Sequence, residues 1–126
     1  MITAKRNGTL SAVSTARDHQ VVSGTIKQNG GDDEGMNPHE LLEAALASCT
    51  IITVQMYANR KAWPLESTDV VVTTDSEGVD SHLTRQITFR GNLDEAQRAK
   101  LLEIANKCPI HKLLESNIKI ETISKN

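Results

Sequence analysis

Two cysteines, Cys49 and Cys108, are the side chains of this 126-residue chain best suited to chemistry. Cys49 lies within Asn37-Pro-His-Glu-Leu-Leu-Glu-Ala-Ala-Leu-Ala-Ser-Cys49, deep in a long apolar helical pattern. Cys108 opens Cys108-Pro-Ile-His-Lys-Leu-Leu, where a helix starts at the thiol itself. A dithiol contributed by two helices is a redox or metal device. Cys49 also fits a plainer description, a small buried hydrophobe, which is common for a free cysteine. Burial alone raises a thiol pKa, so a nucleophilic Cys49 needs a positive partner. The N-terminus of its helix is about three turns away, and a helix dipole fades within one turn. Cys108 differs, because Pro109 suits the first helical position and places the thiol at the N-cap. Free N–H groups there favour a thiolate. Local electrostatics therefore make Cys108 the more acidic of the two; in the plainer account it only replaces Ser or Asp as a cap.

The other titratable candidates are weaker. A metal site would draw on Cys49, Cys108, His39 and His111. On a continuous helix, however, His39 is roughly 15 Å from Cys49 along the axis, too far to share an ion. Cys108-x-x-His111 supplies two ligands without a second zinc-type pair, so no metal and no cofactor are expected. His19 and His82 read as surface residues. Arg17 sits at a turn between two strands, either solvated or folded over a thiol to supply the missing charge. Glu40 fits a helix-capping role, and Glu43 could pair with a basic residue of another segment or subunit.

The elements that position these groups follow from pattern. Leu10–Ser14 and Gln20–Ile26 read as strands around an Arg17-Asp-His turn, and Asn29–Gly35 as a loop. Asn37 is an N-cap, Pro38 the first helical residue and Glu40 the reciprocal cap. That helix should run to Arg60 or Lys61, before Trp63-Pro64. Its middle is apolar nearly all round, so it must be covered on every side. One small domain supplies too little cover, which implies a sheet on one face and a partner subunit on the other. Asp69–Thr74 and His82–Arg90 read as a hairpin. Leu83, Ile87 and Phe89 share one face of its second strand, and the lapse in that pattern is Arg85. A second helix should begin at Asn92, with Glu95 completing its cap. A short third helix follows from Pro109 to about Glu115, and Ile118–Ile123 alternates as a closing strand. The expected order is ββ-α-ββ-α-α-β in a single domain.

Composition bounds the function. The net charge is −2 and aromatics are 2% of the chain, leaving neither a basic stripe nor bases-stacking rings for nucleic acid. The opening Met-Ile-Thr-Ala-Lys-Arg lacks the apolar stretch of a signal peptide. The near-apolar run from Ala44 to Val54 is too short to span a bilayer. The cytoplasm is the default expectation, where a cysteine pair serves reversible or catalytic chemistry rather than a static disulfide.

The long-helix motif ending at Cys49, followed after a hairpin by Cys108-Pro-Ile-His-Lys, resembles the OsmC/Ohr superfamily of osmotically inducible and organic hydroperoxide resistance proteins. The similarity spans about Ala12 to Ile123. It implies an α+β intertwined homodimer, with long central buried helices and antiparallel sheets outside. It further implies thiol-dependent reduction of organic hydroperoxides. Position by position, Cys49 becomes the peroxidatic cysteine, Cys108 the resolving one, and Arg17 the arginine that holds the first as a thiolate. An external dithiol would reset the pair. One departure stands out. The peroxidase branches carry Asn-Pro-Glu, whose glutamate pairs with the arginine, whereas here the position is His39. Glu40 follows, but consecutive helical residues point about 100° apart and cannot simply exchange roles. Either His39 takes a modified role, or Glu43 or another group orients Arg17. The alternative function is a small-molecule-binding or redox-sensing protein on the same fold, without turnover.

Overall fold

The first helix is fixed at both ends by its own sequence. In the computed structural model, which describes residues 1–126, α1 runs Pro38–Lys61. Asn37 Oδ1 accepts the Glu40 N–H at 2.9 Å, and Glu40 Oε1 accepts the Asn37 N–H at 2.9 Å. Two otherwise unpaired backbone donors are thereby satisfied reciprocally. At the other end, Ala62 adopts φ 56°, its N–H bonds to Asn59 O, and the Trp63 N–H bonds to Ala58 O. This is a Schellman closure, made here by alanine where glycine is usual, with Pro64 barring continuation.

Backbone proximity divides the chain into two compact units, Met1–Ala44 and Ala45–Asn126. In the first, β1 (Thr3–Arg6), β2 (Ala12–Ala16) and β3 (His19–Ser23) form an antiparallel sheet in the order β1-β2-β3. The Ala16–His19 pair closes a tight turn on Arg17 and Asp18, with Arg17 at φ 54°. Non-glycine residues rarely occupy that region. β1 was not anticipated from sequence, because Thr-Ala-Lys-Arg is fully exposed and carries no apolar alternation. Between β3 and α1 lies a short 3₁₀ turn at Lys27–Asn29, ended by Gly30 in the left-handed region.

The second unit contains most of α1, the hairpin β4 (Leu65–Ser76) and β5 (His82–Gly91), then α2 (Glu95–Ala105) and α3 (Pro109–Leu114). Val54 and Ala58 of α1 pack with Leu65 of β4 and Leu101, Ile104 and Ala105 of α2. Ile87 and Phe89 of β5 cover this core from the sheet. Register shifts in β4 beside Leu65 and Thr74 bend the hairpin, and both strands run further than their alternation indicated. Gly91 closes the hairpin base at φ 144°, where a β-carbon would lie 2.2 Å from Pro64 O. Only glycine permits that approach.

Two expectations need correction. α2 is capped by Asp94, not Asn92. Asp94 Oδ1 accepts the Gln97 N–H at 2.7 Å, and Gln97 Oε1 accepts the Asp94 N–H at 3.0 Å. Asn92 with Glu95 offered the same spacing, but the later box leaves Leu93 outside the helix, packed on the core. In addition, Ile118–Ile123 forms no strand, and Ile118, Ile120 and Ile123 are exposed. Strand propensity records a fit to a neighbouring strand rather than an intrinsic backbone preference. Within this chain that segment pairs with neither sheet.

α1 is long and apolar enough, by length and composition, to cross a membrane, contrary to what its longest uninterrupted apolar run implied. The buried row Leu46, Thr50, Val54 and Ala58, four residues apart, instead suits a core helix. Its opposite face stays open, with Ile52 59% and Met56 64% exposed. The pattern that demanded cover all round is thus covered on one side by this chain.

Candidate functional site

Both cysteines fall in the second unit, and both are free. α1 holds Cys49 one position before the buried row, half-buried beside Thr53, with Sγ 3.8 Å from Thr53 Oγ1. Cys108 is fully buried at the N-cap of α3, with Pro109 at the first helical position as the sequence indicates. The residue after α2 therefore fixes the second thiol. Asn106 is the α2 C-cap, and the Cys108 N–H bonds to Ala105 O.

The two thiols meet, and their acidities are the reverse of the local expectation. Burial pushes the Cys49 thiol up, but several groups together outweigh it. These are hydrogen bonding from the Cys108 thiol, the Ile110 N–H, the Thr53 hydroxyl and the charge of Arg85. The net result is a Cys49 thiol below its ordinary range. Cys108 moves the other way. Burial raises it most, and its hydrogen bond and charge interaction with Cys49 raise it further. The Ile110 and His111 N–H groups at the start of α3 lower it by less, and no side-chain capping bond forms. Donating a proton to a neighbouring thiolate stabilises that thiolate and binds the donor's own proton more firmly. The helix start thus contributes to the pair, while Cys49 collects the benefit.

The cation beside the pair is Arg85, the residue marked in the sequence only as a lapse on the apolar face of β5. It faces inward opposite Val72, in line with Leu83 and Ile87. Its Nη1 donates to Thr50 Oγ1 at 3.0 Å. Its Nη2 donates to Asn106 Oδ1 at 3.0 Å and lies 3.0 Å from His111 Nδ1. Thr50 is fully buried, and its own hydroxyl proton goes to Leu46 O at 2.7 Å. His111 Nε2 reaches Glu115 Oε1 at 2.9 Å. A guanidinium can only donate, so Nδ1 is the acceptor and the proton sits on Nε2, directed at Glu115.

Arg17, His39, Glu40 and Glu43 all belong to the first unit. Arg17 occupies the β2–β3 turn, Glu40 is committed to the α1 cap, and His39 and Glu43 stand on the first two turns of α1. His111 serves as the link between Arg85 and Glu115, and no three His, Cys, Asp or Glu side chains converge as a metal cage would require. His82 is exposed and bonds Asp75 Oδ2 at 2.8 Å through Nδ1.

What this arrangement can do is stabilise one thiolate, hold a second thiol against it, and bridge them reversibly by a disulfide. No curated protein matches the chain in sequence. Solved structures match its fold closely. An OsmC-like protein from Mycoplasma pneumoniae superposes with a TM-score of 0.73 at 18% identity, covering 91% of this chain and 86% of that one. An organic hydroperoxide resistance protein from Elizabethkingia anophelis gives 0.66 at 19% identity, covering 94% and 91%. An organic hydroperoxide resistance protein OsmC from Legionella pneumophila gives 0.60 at 19% identity, covering 93% and 90%. The sequence profile of the OsmC-like protein family matches residues 31–123, a span that holds α1, the hairpin and both cysteines. With its antiparallel sheets, three helices and dithiol, the chain belongs to the OsmC-like protein family.

Proposed function

We propose that this protein is a thiol-dependent peroxidase for organic hydroperoxides. What carries this reading is the cysteine pair, Cys49 half-buried on α1 and Cys108 buried at the N-cap of α3, with the Cys49 thiol pushed down by its neighbours. It gains support from relatives of the same fold named organic hydroperoxide resistance proteins. The Cys49 thiolate attacks the distal oxygen of ROOH. The O–O bond breaks, a proton is taken up, and ROH leaves a sulfenic acid on Cys49. Cys108 then attacks that sulfur, forming the disulfide and releasing water. An external dithiol restores both thiols by two exchange steps and leaves as its own disulfide. The half-buried Cys49 and its apolar helix favour alkyl peroxides over hydrogen peroxide.

The working unit in this proposal is a homodimer in the cytoplasm. The open face of α1 and the exposed isoleucines of residues 118–123 are the apolar surface a second copy would cover. Arg17, by family resemblance, contributes a further guanidinium to the thiolate, oriented by His39 or Glu43 in place of the family glutamate. Purified protein should consume cumene hydroperoxide with dithiothreitol as reductant. Cys49→Ser should abolish that turnover, and unchanged turnover would refute the reading. One equivalent of peroxide should also remove two hydrogens, localised by peptide mass spectrometry to Cys49 and Cys108. Thiols left unchanged would point instead to a small-molecule-binding protein or a redox sensor responding to another oxidant.

A further inference from the structure

We propose that Arg85 is a positioning residue of the dithiol site: a guanidinium pinned by Thr50, Asn106 and His111, each close in the chain to Cys49 or Cys108, that contributes its charge to the Cys49 thiolate. The proposal rests on the reading of Cys49 as the nucleophile, but it concerns a residue the family resemblance does not supply.

Arg85 stands on the inward face of β5, among Leu83, Ile87 and Phe89, where an apolar residue continues the pattern. A half-buried arginine ordinarily takes a carboxylate partner, because a desolvated charge is costly without one. The partners here are instead a hydroxyl, an amide oxygen and an imidazole nitrogen, all neutral acceptors at 3.0 Å. They fix where the guanidinium sits without neutralising it. Each anchor comes from a different element: Thr50 from α1, Asn106 from the end of α2 and His111 from α3. Two of these elements, α1 and α3, also carry the two thiols, so the clamp and the dithiol share those helices.

The groups that lower the Cys49 thiol against its burial are the Cys108 thiol, the Ile110 N–H, the Thr53 hydroxyl and, least of the four, the charge of Arg85. Arg85 is the formal charge among them. That charge adds to the hydrogen bonds that favour the Cys49 thiolate. Glu115 lies one step further out and holds the His111 tautomer that leaves Nδ1 free to accept. It meets the cation through the imidazole, which spares the charge of Arg85 for the thiolate.

The test is the pH profile of Cys49 alkylation by iodoacetamide, followed at that residue by peptide mass spectrometry. Arg85→Gln keeps a hydrogen-bonding side chain and removes the charge. Each tenfold loss of thiolate is partly offset by the stronger nucleophilicity of a less acidic thiol, leaving a net fall of about threefold in the low-pH rate. The high-pH plateau should rise as the low-pH rate falls, so the two profiles cross. Arg85→Lys, which keeps the charge without the three-point fork, should lie between them. A folded Arg85→Gln protein with an unchanged profile overturns the proposal. If that variant does not fold, Arg85→Met, which removes the charge and continues the apolar face of β5, takes its place, and an unchanged profile there overturns the proposal. The readout needs no peroxide. A crossing profile in a protein without peroxidase turnover supports the role of Arg85 while refuting the proposed reaction.

Discussion

The middle of α1 and the start of α3 each present a thiol, and the contrast between them shows where acidity comes from. Cys108 has the better local position: an N-cap followed by Pro109 and then by the N–H groups of Ile110 and His111. Cys49 has the worse one, twelve residues into a helix whose own dipole cannot reach it. Yet Cys49 is the thiol pushed down and Cys108 the one pushed up. Complete burial of Cys108 outweighs its backbone donors, since a thiolate there would lose all its water. Cys49 keeps partial exposure and draws on hydrogen bonds from Cys108 and Ile110 and on the charge of Arg85. Acidity belongs to the assembled site rather than to the segment that contains the sulfur.

The harshest way to break that contrast is to remove the donor. Cys108→Ala and Cys108→Ser should both lose steady-state peroxide turnover, because neither can form the disulfide. Only the alanine variant should also slow Cys49 alkylation at low pH, since serine still offers a proton to the thiolate. Equal slowing in both variants would mean that thiol donation does not set the acidity of Cys49. A milder test uses the opposite directions of the two shifts. A lowered thiol stabilises the fold above its unfolded pKa, and that contribution disappears as pH falls through the folded value. A raised thiol stabilises below its unfolded pKa, and the contribution is lost as pH rises through the folded value. Urea unfolding between about pH 7 and 10 should therefore give opposite trends. The stability gap between wild type and Cys49→Ser should widen with rising pH, and that for Cys108→Ser should narrow. Parallel trends would erase the distinction drawn between the two sites.

How much of this was legible in the sequence follows from what kind of signal each feature leaves. Both ends of α1 were readable, because caps are made by residues within a few positions of one another: Asn37 with Glu40, and Ala62 ahead of Trp63-Pro64. The same locality misplaced the start of α2, where Asn92 and Asp94 offered overlapping boxes and only packing of Leu93 separates them. The closing strand failed for the opposite reason. Ile118-Lys-Ile-Glu-Thr-Ile has the alternation of a strand, but a strand exists only where an edge receives it, and no local pattern records that edge. At the site, both cysteines and the N-cap of α3 were visible, while the order of their acidities was not. Arg85 left one trace, a charged residue where period two called for an apolar one. Its anchors lie 35, 21 and 26 positions away, so spacing could not join them. A charge on the buried face of a strand has to be balanced by something, and that was the usable signal.

The smallest expected effect probes the outermost link of the same clamp. Glu115 is largely exposed, with 73% of its side chain open to solvent, so its direct Coulomb influence on a buried group is weak. Its influence runs through the imidazole. By accepting from Nε2, it keeps the proton away from Nδ1, which then accepts from Arg85. Glu115→Ala frees His111 to change tautomer or turn, and one of three anchors on the guanidinium loosens while Thr50 and Asn106 remain. Cys49 alkylation at low pH should fall by less than in Arg85→Gln, and thermal stability should change by about 0.5 kcal/mol or less. Ring-nitrogen NMR shifts of His111 should move from the Nε2–H form toward a mixture of tautomers. Glu115→Gln should retain most of the wild-type spectrum, because its amide oxygen can still accept from Nε2. An unaltered His111 spectrum in Glu115→Ala would show that Arg85, Asn106 and Thr50 hold the site without the outer carboxylate, and the clamp would end at the imidazole.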